Sequence, residues 1–150
     1  MASQHSDRQS GGEAGQRLAR VVTELYRGQK RHARVPELYA DHCVLETPAL
    51  EVEGVENVTA FLRDGLPKLR PVQMNSRLQT NSSHVVEVAM MTQYTMPLID
   101  AAWTVPMRVR LELDDEGKVI RHSELWQGRP LSSAFQFTRQ LNGWLFNKLV

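Results

Sequence analysis

The apolar and polar positions divide the chain into a helical first third, a strand-rich middle and a helical end. Leu18, Val21, Val22 and Leu25 recur at the spacing of one helix face, with Arg17, Arg20, Glu24 and Arg27 turned elsewhere. Gly28 marks the end of that helix. Ahead of it, residues 1 to 13 hold almost no aliphatic side chain. They are predicted to form a disordered tail, because they bury too little to offset the entropy of ordering. Pro36 suits the start of a short second helix over 35–40. Cys43 to Pro48 reads as a strand, and a loop through Leu50 and Val52 leads to Gly54. Val58, Phe61, Leu62 and Leu66 define a third helix stopped at Pro67.

Beyond it the period changes from helical to two. Met74 to Thr80 is one strand, Asn81-Ser82-Ser83 a turn, and His84 to Met96 the next strand. On the latter, Val86, Val88 and Met90 share a face with Thr92 and Tyr94. Trp103, Val105, Met107, Val109, Leu111 and Leu113 alternate with Thr104, Arg108, Arg110 and Glu112, the signature of an antiparallel strand with one buried face. Asp115-Glu116-Gly117 turns the chain into a returning strand over 118–127. Residues 131–150 are again helical in pattern. The order of elements predicts an α+β domain over 14–130, with a C-terminal helical extension over 131–150.

Composition narrows the function. The 150 residues suffice for one domain with its own core. Eighteen basic and seventeen acidic residues leave a net charge of +1, which gives no bulk electrostatic case for nucleic acid. The basic cluster Arg27, Lys30, Arg31, His32 and Arg34 lacks interleaved aromatics and reads as a solvated helix end. No apolar run is long enough to span a membrane, and MASQHSDRQSGG lacks the apolar core of a secretory signal. A single cysteine, Cys43, fits a reducing compartment and reads as a buried inert thiol. The expectation is a cytoplasmic protein. Histidines 5, 32, 42, 84 and 122 are scattered, with no metal spacing, and no glycine-rich phosphate loop or GxSxG occurs. Neither metal nor cofactor is expected.

The chemistry lies on the last strand. Period two places Ile120, His122, Glu124 and Trp126 on one face. A histidine and a carboxylate two residues apart there are candidates for an acid–base pair, and equally for a polar pair that steadies Trp126. Met90 and Met107 would give a pocket an adaptable wall, or serve as plain core filling.

Two blocks carry a family likeness. LYADHCVLETPALEVEGVENVTAFLRDGL resembles the opening of the nuclear transport factor 2-like superfamily, and DDEGKVIRHSELWQGRPL resembles its closing strands, nearest to the SnoaL-like, polyketide cyclase-like branch. The resemblance implies a cone-shaped α+β barrel, a curved antiparallel sheet wrapped around N-terminal helices, with an apolar pocket at its open end. It implies that His122, Glu124 and Trp126 face that pocket. The ketosteroid isomerases of the superfamily place their general base where this chain has Thr47, and their oxyanion-hole acid where it has Val109. Their helix tyrosine falls near Val21 or Thr23, so the isomerase constellation is absent. Thr47, Phe61, Met90, Met107, Val109 and Trp126 are the implied ligand-binding residues, and His122 and Glu124 the catalytic candidates.

The sequence-level conclusion is a SnoaL-like domain binding an apolar small molecule. The alternatives are a cofactor-independent isomerase, dehydratase or cyclase using His122 and Glu124, and a protein-interaction or dimerisation module. Superfamily members often pair through the sheet face, here Arg108, Arg110 and Glu112, so a homodimer is expected by analogy. The C-terminal segment, with Phe135, Phe137, Trp144 and Phe146, is read as capping the cone or packing on a second subunit. Contact with a membrane surface is the less favoured reading.

Overall fold

The computed structural model describes residues 3–28, 31–48, 50–95 and 102–126; the extension over 131–150 lies outside them. Three helices and six strands follow in the order α1 (Ser3–Tyr26), α2 (Val35–Leu38), β1 (Tyr39–Glu46), β2 (Glu51–Glu53), α3 (Val55–Ala60), β3 (Val72–Asn81), β4 (Val85–Thr95), β5 (Ala102–Leu113) and β6 (Val119–Trp126). A π-helical turn over Phe61–Gly65 and a 3-10 turn over Leu66–Leu69 prolong α3 to the region of Pro67.

The helix α1 extends well ahead of Ala14, across most of the stretch read as a tail. That stretch holds no proline and is continuous with a strongly amphipathic helix, so propagation costs far less than nucleation. Asn81 of β3 touches it: its Nδ2 donates to the Gly12 carbonyl at 3.0 Å. The helix stops where Gly28 takes φ +77°, a left-handed conformation that favours glycine.

The strands form one open sheet in the order β2-β1-β6-β5-β4-β3. All neighbours are antiparallel except β1 and β6, which run parallel with Leu45 opposite His122. The β5–β6 hairpin closes at Gly117, φ +80°, and Asp114 Oδ1 accepts from the amides of Glu116 and Lys118 at 2.9 Å each. Alternation sends Val86, Val88, Met90, Thr92 and Tyr94 of β4 and Val105, Met107, Val109 and Leu111 of β5 to a buried inner face. They pack with Leu18, Val22, Leu25 and Tyr26 of α1 and with Val58, Phe61, Leu62 and Leu66 in one core.

One expectation on β6 is corrected. The β5–β6 ladder shifts between Glu112 and Leu113, with Leu113 opposite Val119 and Glu112 opposite Arg121, which leaves Ile120 as a bulge. Val119 therefore takes the fully buried place expected for Ile120, and Ile120 is half-buried. From Arg121 onward the period of two holds, so His122 and Glu124 point inward.

Candidate functional site

The inner face of β6 brings two ionisable side chains into a dry interior. His122 is fully buried and Glu124 is 2% exposed. They do not meet directly in a hydrogen bond; the Tyr26 hydroxyl, carried in by the last residue of α1, stands between them. It lies 2.5 Å from Glu124 Oε1 and 3.3 Å from His122 Nε2. Tyr94 donates to the same Oε1 at 3.1 Å, and Trp126 Nε1 donates to Oε2 at 2.9 Å. On the far side of the imidazole, the Tyr39 hydroxyl lies 2.8 Å from Nδ1.

Donor arithmetic fixes the direction of each bond. An ionised Glu124 only accepts, so Tyr26, Tyr94 and Trp126 all donate to it. The single Tyr26 hydrogen is then engaged, and its contact with His122 requires Nε2–H as the donor. A neutral ring leaves Nδ1 bare, and Tyr39 donates to it. The chain Tyr39 → His122 → Tyr26 → Glu124 is thus satisfied with a neutral imidazole and a carboxylate.

The electrostatics agree for the imidazole. Burial lowers the His122 pKa to about 3, so no imidazolium stands beside Glu124 at neutral pH. Burial also raises the Glu124 carboxyl above its ordinary value, with the bonds from Tyr26, Trp126 and Tyr94 partly offsetting it. Burial, reinforced by the charge of Glu124, pushes Tyr26 and Tyr94 upward, so both remain hydroxyl donors. Burial does the same for Tyr39, with Cys43 adding to it. Chemically the arrangement offers a carboxylate of raised basicity in a water-poor interior, held by neutral donors.

The other implied residues divide in two. Register sets Met107 opposite Trp126, Val109 opposite Glu124 and Met90 opposite Met107, so these four surround the carboxylate's end of β6. Thr47 is buried just past β1, but its hydroxyl accepts the Leu50 amide at 3.1 Å and its own amide donates to the Leu50 carbonyl at 2.8 Å. Its position is that of a turn residue. Phe61 is a fully buried member of the core. Cys43 is buried, and burial pushes its thiol up to about 11.

Sequence reasoning missed Tyr26 and Tyr39. Tyr26 lies four residues past Val22 on the same apolar stripe, the signal that could have placed it inward. Tyr39 was read as helical, and β1 in fact begins there. Tyr94, on the face shared with Val86, Val88 and Met90, is 3% exposed and bonds to Glu124.

Two surface depressions lie among the described residues. One of about 320 Å3 is bordered by Arg77, Ala89, Met91, Pro106 and Arg108, and also by the candidate residues Met90 and Met107. The other, about 290 Å3, lies between Arg20 and Thr23 of α1 and Ser76 and Leu78 of β3. Among the described residues, no group of three or more His, Cys, Asp or Glu side chains could hold a metal ion, and no helix is long and apolar enough to cross a membrane.

No protein-family profile and no curated protein matches the sequence. Solved structures do match the fold. A candidate polyketide cyclase from Xanthomonas campestris pv. campestris aligns at TM-score 0.61 and 14% identity, over 76% of this chain and 90% of its own. SalBIII, an epoxide hydrolase/cyclase-like enzyme with a role in pyran ring formation in the polyether salinomycin, aligns at TM-score 0.59 and 16% identity, over 80% and 92%. A nuclear transport factor 2-like protein of unknown function from Cytophaga hutchinsonii aligns at TM-score 0.59 and 12% identity, over 76% and 96%. The chain has the nuclear transport factor 2-like, SnoaL-like fold, an α+β cone whose six-stranded sheet is curved and not closed.

Proposed function

We propose that this is a small-molecule binding domain whose recognition group is the inward-facing carboxylate of Glu124. The observation behind this reading is that Glu124 is buried on three neutral donors, Tyr26, Tyr94 and Trp126, with no cation bonded to it among the described residues. A purely structural carboxylate in an interior is ordinarily paired with a cation, because burying its charge is costly. Here the polar group sits among Met107, Val109 and Trp126, apolar side chains with a single convergent acceptor, the composition of a ligand site.

A second reading is proton transfer by Glu124 in an isomerase or cyclase reaction. The raised pKa of its carboxyl supports this reading, since it makes the group a better base near neutral pH. Two of the similar structures, described as cyclase-type proteins, are compatible with it. In this version Glu124 is the base, and neutral His122 acts through Tyr26 to orient it.

The test is thermal unfolding of the full chain against apolar carbonyl, phenolic and amine compounds, with Glu124→Gln alongside. A ligand present at 100 times its Kd adds about 2.7 kcal/mol, a shift of several degrees at this chain length. A hit lost in Glu124→Gln supports the reading. Hits that bind Glu124→Gln as well as wild type overturn it.

A further inference from the structure

The inner face of β4 holds an unbalanced group. Thr92 is fully buried, and among the described residues its hydroxyl has no hydrogen-bond partner. The polar groups of the inner network, Tyr26, Tyr94, His122 and Glu124, are by contrast all partnered. A buried hydroxyl left unpaired is destabilising and uncommon in native interiors, and it points to something that binds there.

Two residues along the same face, Tyr94 reaches past Met107 toward β6. Its hydroxyl lies 3.1 Å from Glu124 Oε1 and 3.6 Å from Met107 Sδ. Its ring stacks on Trp126, with centroids 6.1 Å apart and planes 27° from parallel. Tyr26 already donates to Oε1 over a shorter distance, 2.5 Å. Glu124 therefore keeps a donor on each oxygen when Tyr94 is withdrawn. Tyr94 is a phenol lying against a tryptophan, with its hydroxyl on a buried carboxylate.

We propose that Tyr94 occupies a ligand position of this site, and that the ligand is a neutral planar phenol or enol carrying a second polar atom. Its hydroxyl replaces that of Tyr94 on Glu124, its ring takes the place beside Trp126, and its second polar atom pairs with the Thr92 hydroxyl. The inference rests on the binding reading above and adds the ligand's class. Neutrality follows from the interior: among the described residues, the buried charged or polar side chains include no lysine or arginine to balance an anion beside Glu124. Met90 and Met107, which face each other across β4 and β5 next to Thr92, are unbranched and can repack as Tyr94 turns out.

The experiment is calorimetric titration of the full chain with 4-ethylphenol, 4-ethylanisole, and 3- and 4-hydroxyacetophenone. Removing the internal competitor in Tyr94→Phe is expected to tighten 4-ethylphenol by about 3- to 10-fold, the worth of one hydrogen bond. The anisole, which has no hydroxyl to donate, is expected to bind at least tenfold more weakly, roughly the loss of a bond to a charged group. Thr92→Val is expected to leave 4-ethylphenol unchanged and to weaken one hydroxyacetophenone several-fold. Its melting temperature should equal or exceed that of wild type, which shows that it folds. The proposal is overturned if Tyr94→Phe binds the phenol no more tightly, if the anisole matches the phenol, or if no probe binds either protein. Phenol binding that persists in Glu124→Gln would overturn the reading of Glu124 as well. Glu124-dependent binding of another compound class would overturn only the phenol assignment.

Discussion

The two faces of the sheet hold their carboxylates in opposite ways. On the outer face, Glu87 of β4 lies 3.3 Å from Arg110 and 3.6 Å from Arg108 across β5. Glu46 of β1 pairs with Arg121 at 3.0 Å and accepts the Ser123 hydroxyl at 2.9 Å. These arginines keep about two-fifths of their side chains in solvent, so their charges are hydrated and the pairs are weakly stabilising. On the inner face Glu124 has hydroxyls and an indole instead of a guanidinium. Neutral donors orient a carboxylate without neutralising it. The outer face therefore reads as scaffold, and the inner network as the polar part of the proposed binding site.

The largest effect expected from this contrast is on pH dependence. His122 refuses a proton until about pH 3, whereas the same side chain in the unfolded chain takes one near 6.5. Between those values the unfolded state binds more protons, so this contribution is complete above pH 6.5 and is lost as pH falls toward 3. It amounts to a destabilisation on the order of 4 kcal/mol at the acid end. Glu124 acts with the opposite sign. Its carboxyl is raised in the fold, so its contribution is full below the unfolded value and declines as pH rises through the folded one. Urea unfolding from pH 4 to 7 should show stability climbing with pH in wild type. His122→Gln should flatten that climb, and Glu124→Gln should steepen it. A climb unchanged in His122→Gln would mean the imidazole is not buried neutral.

Next in size are the hydroxyls that join the two groups. Tyr26→Phe removes the shortest bond to Glu124 and leaves His122 Nε2–H without an acceptor, an expected loss of about 2–3 kcal/mol in urea unfolding. Tyr39→Phe removes one bond to a neutral ring and should cost about 1 kcal/mol. Equal losses would contradict the direction assigned to the chain of bonds. Nitrogen-15 chemical shifts of His122 check the same assignment: above pH 5 they should report a single Nε2–H tautomer.

Much of this was legible in the residues, because a half-buried strand writes its facing into the sequence. The inward placement of His122 and Glu124 followed from period two, as did the buried row Val105, Met107, Val109 and Leu111. Ile120 was misplaced because a bulge adds one residue without a mark such as glycine, and one residue is enough to exchange the faces. The three-residue strand β2 is too short to show any period. Tyr26 and Tyr39 escaped for a different reason. A tyrosine on an apolar stripe is a core residue by pattern, and only the fold shows that its hydroxyl meets a histidine nearly a hundred positions later. The site is assembled from α1, β1, β4 and β6, and the pairing across those elements has no local signature.

The smallest effect separates the faces most sharply. Glu87→Gln removes one charge from a carboxylate held by two half-exposed arginines, and the loss should stay below about 1 kcal/mol. It should shrink further as sodium chloride is raised, because exposed guanidinium groups are screened over about 10 Å at 0.1 M salt. The Tyr26–Glu124 contact, being buried, should respond little to the same salt. A double-mutant cycle of Glu87→Gln with Arg110→Met, set beside one of Glu124→Gln with Tyr26→Phe, measures the two couplings in the same units. The inner coupling is expected to be the larger and the less salt-sensitive. Were the outer pair the stronger, Glu87 would be a structural anchor of the sheet, and a carboxylate's value in this fold would follow its counter-charge rather than its burial.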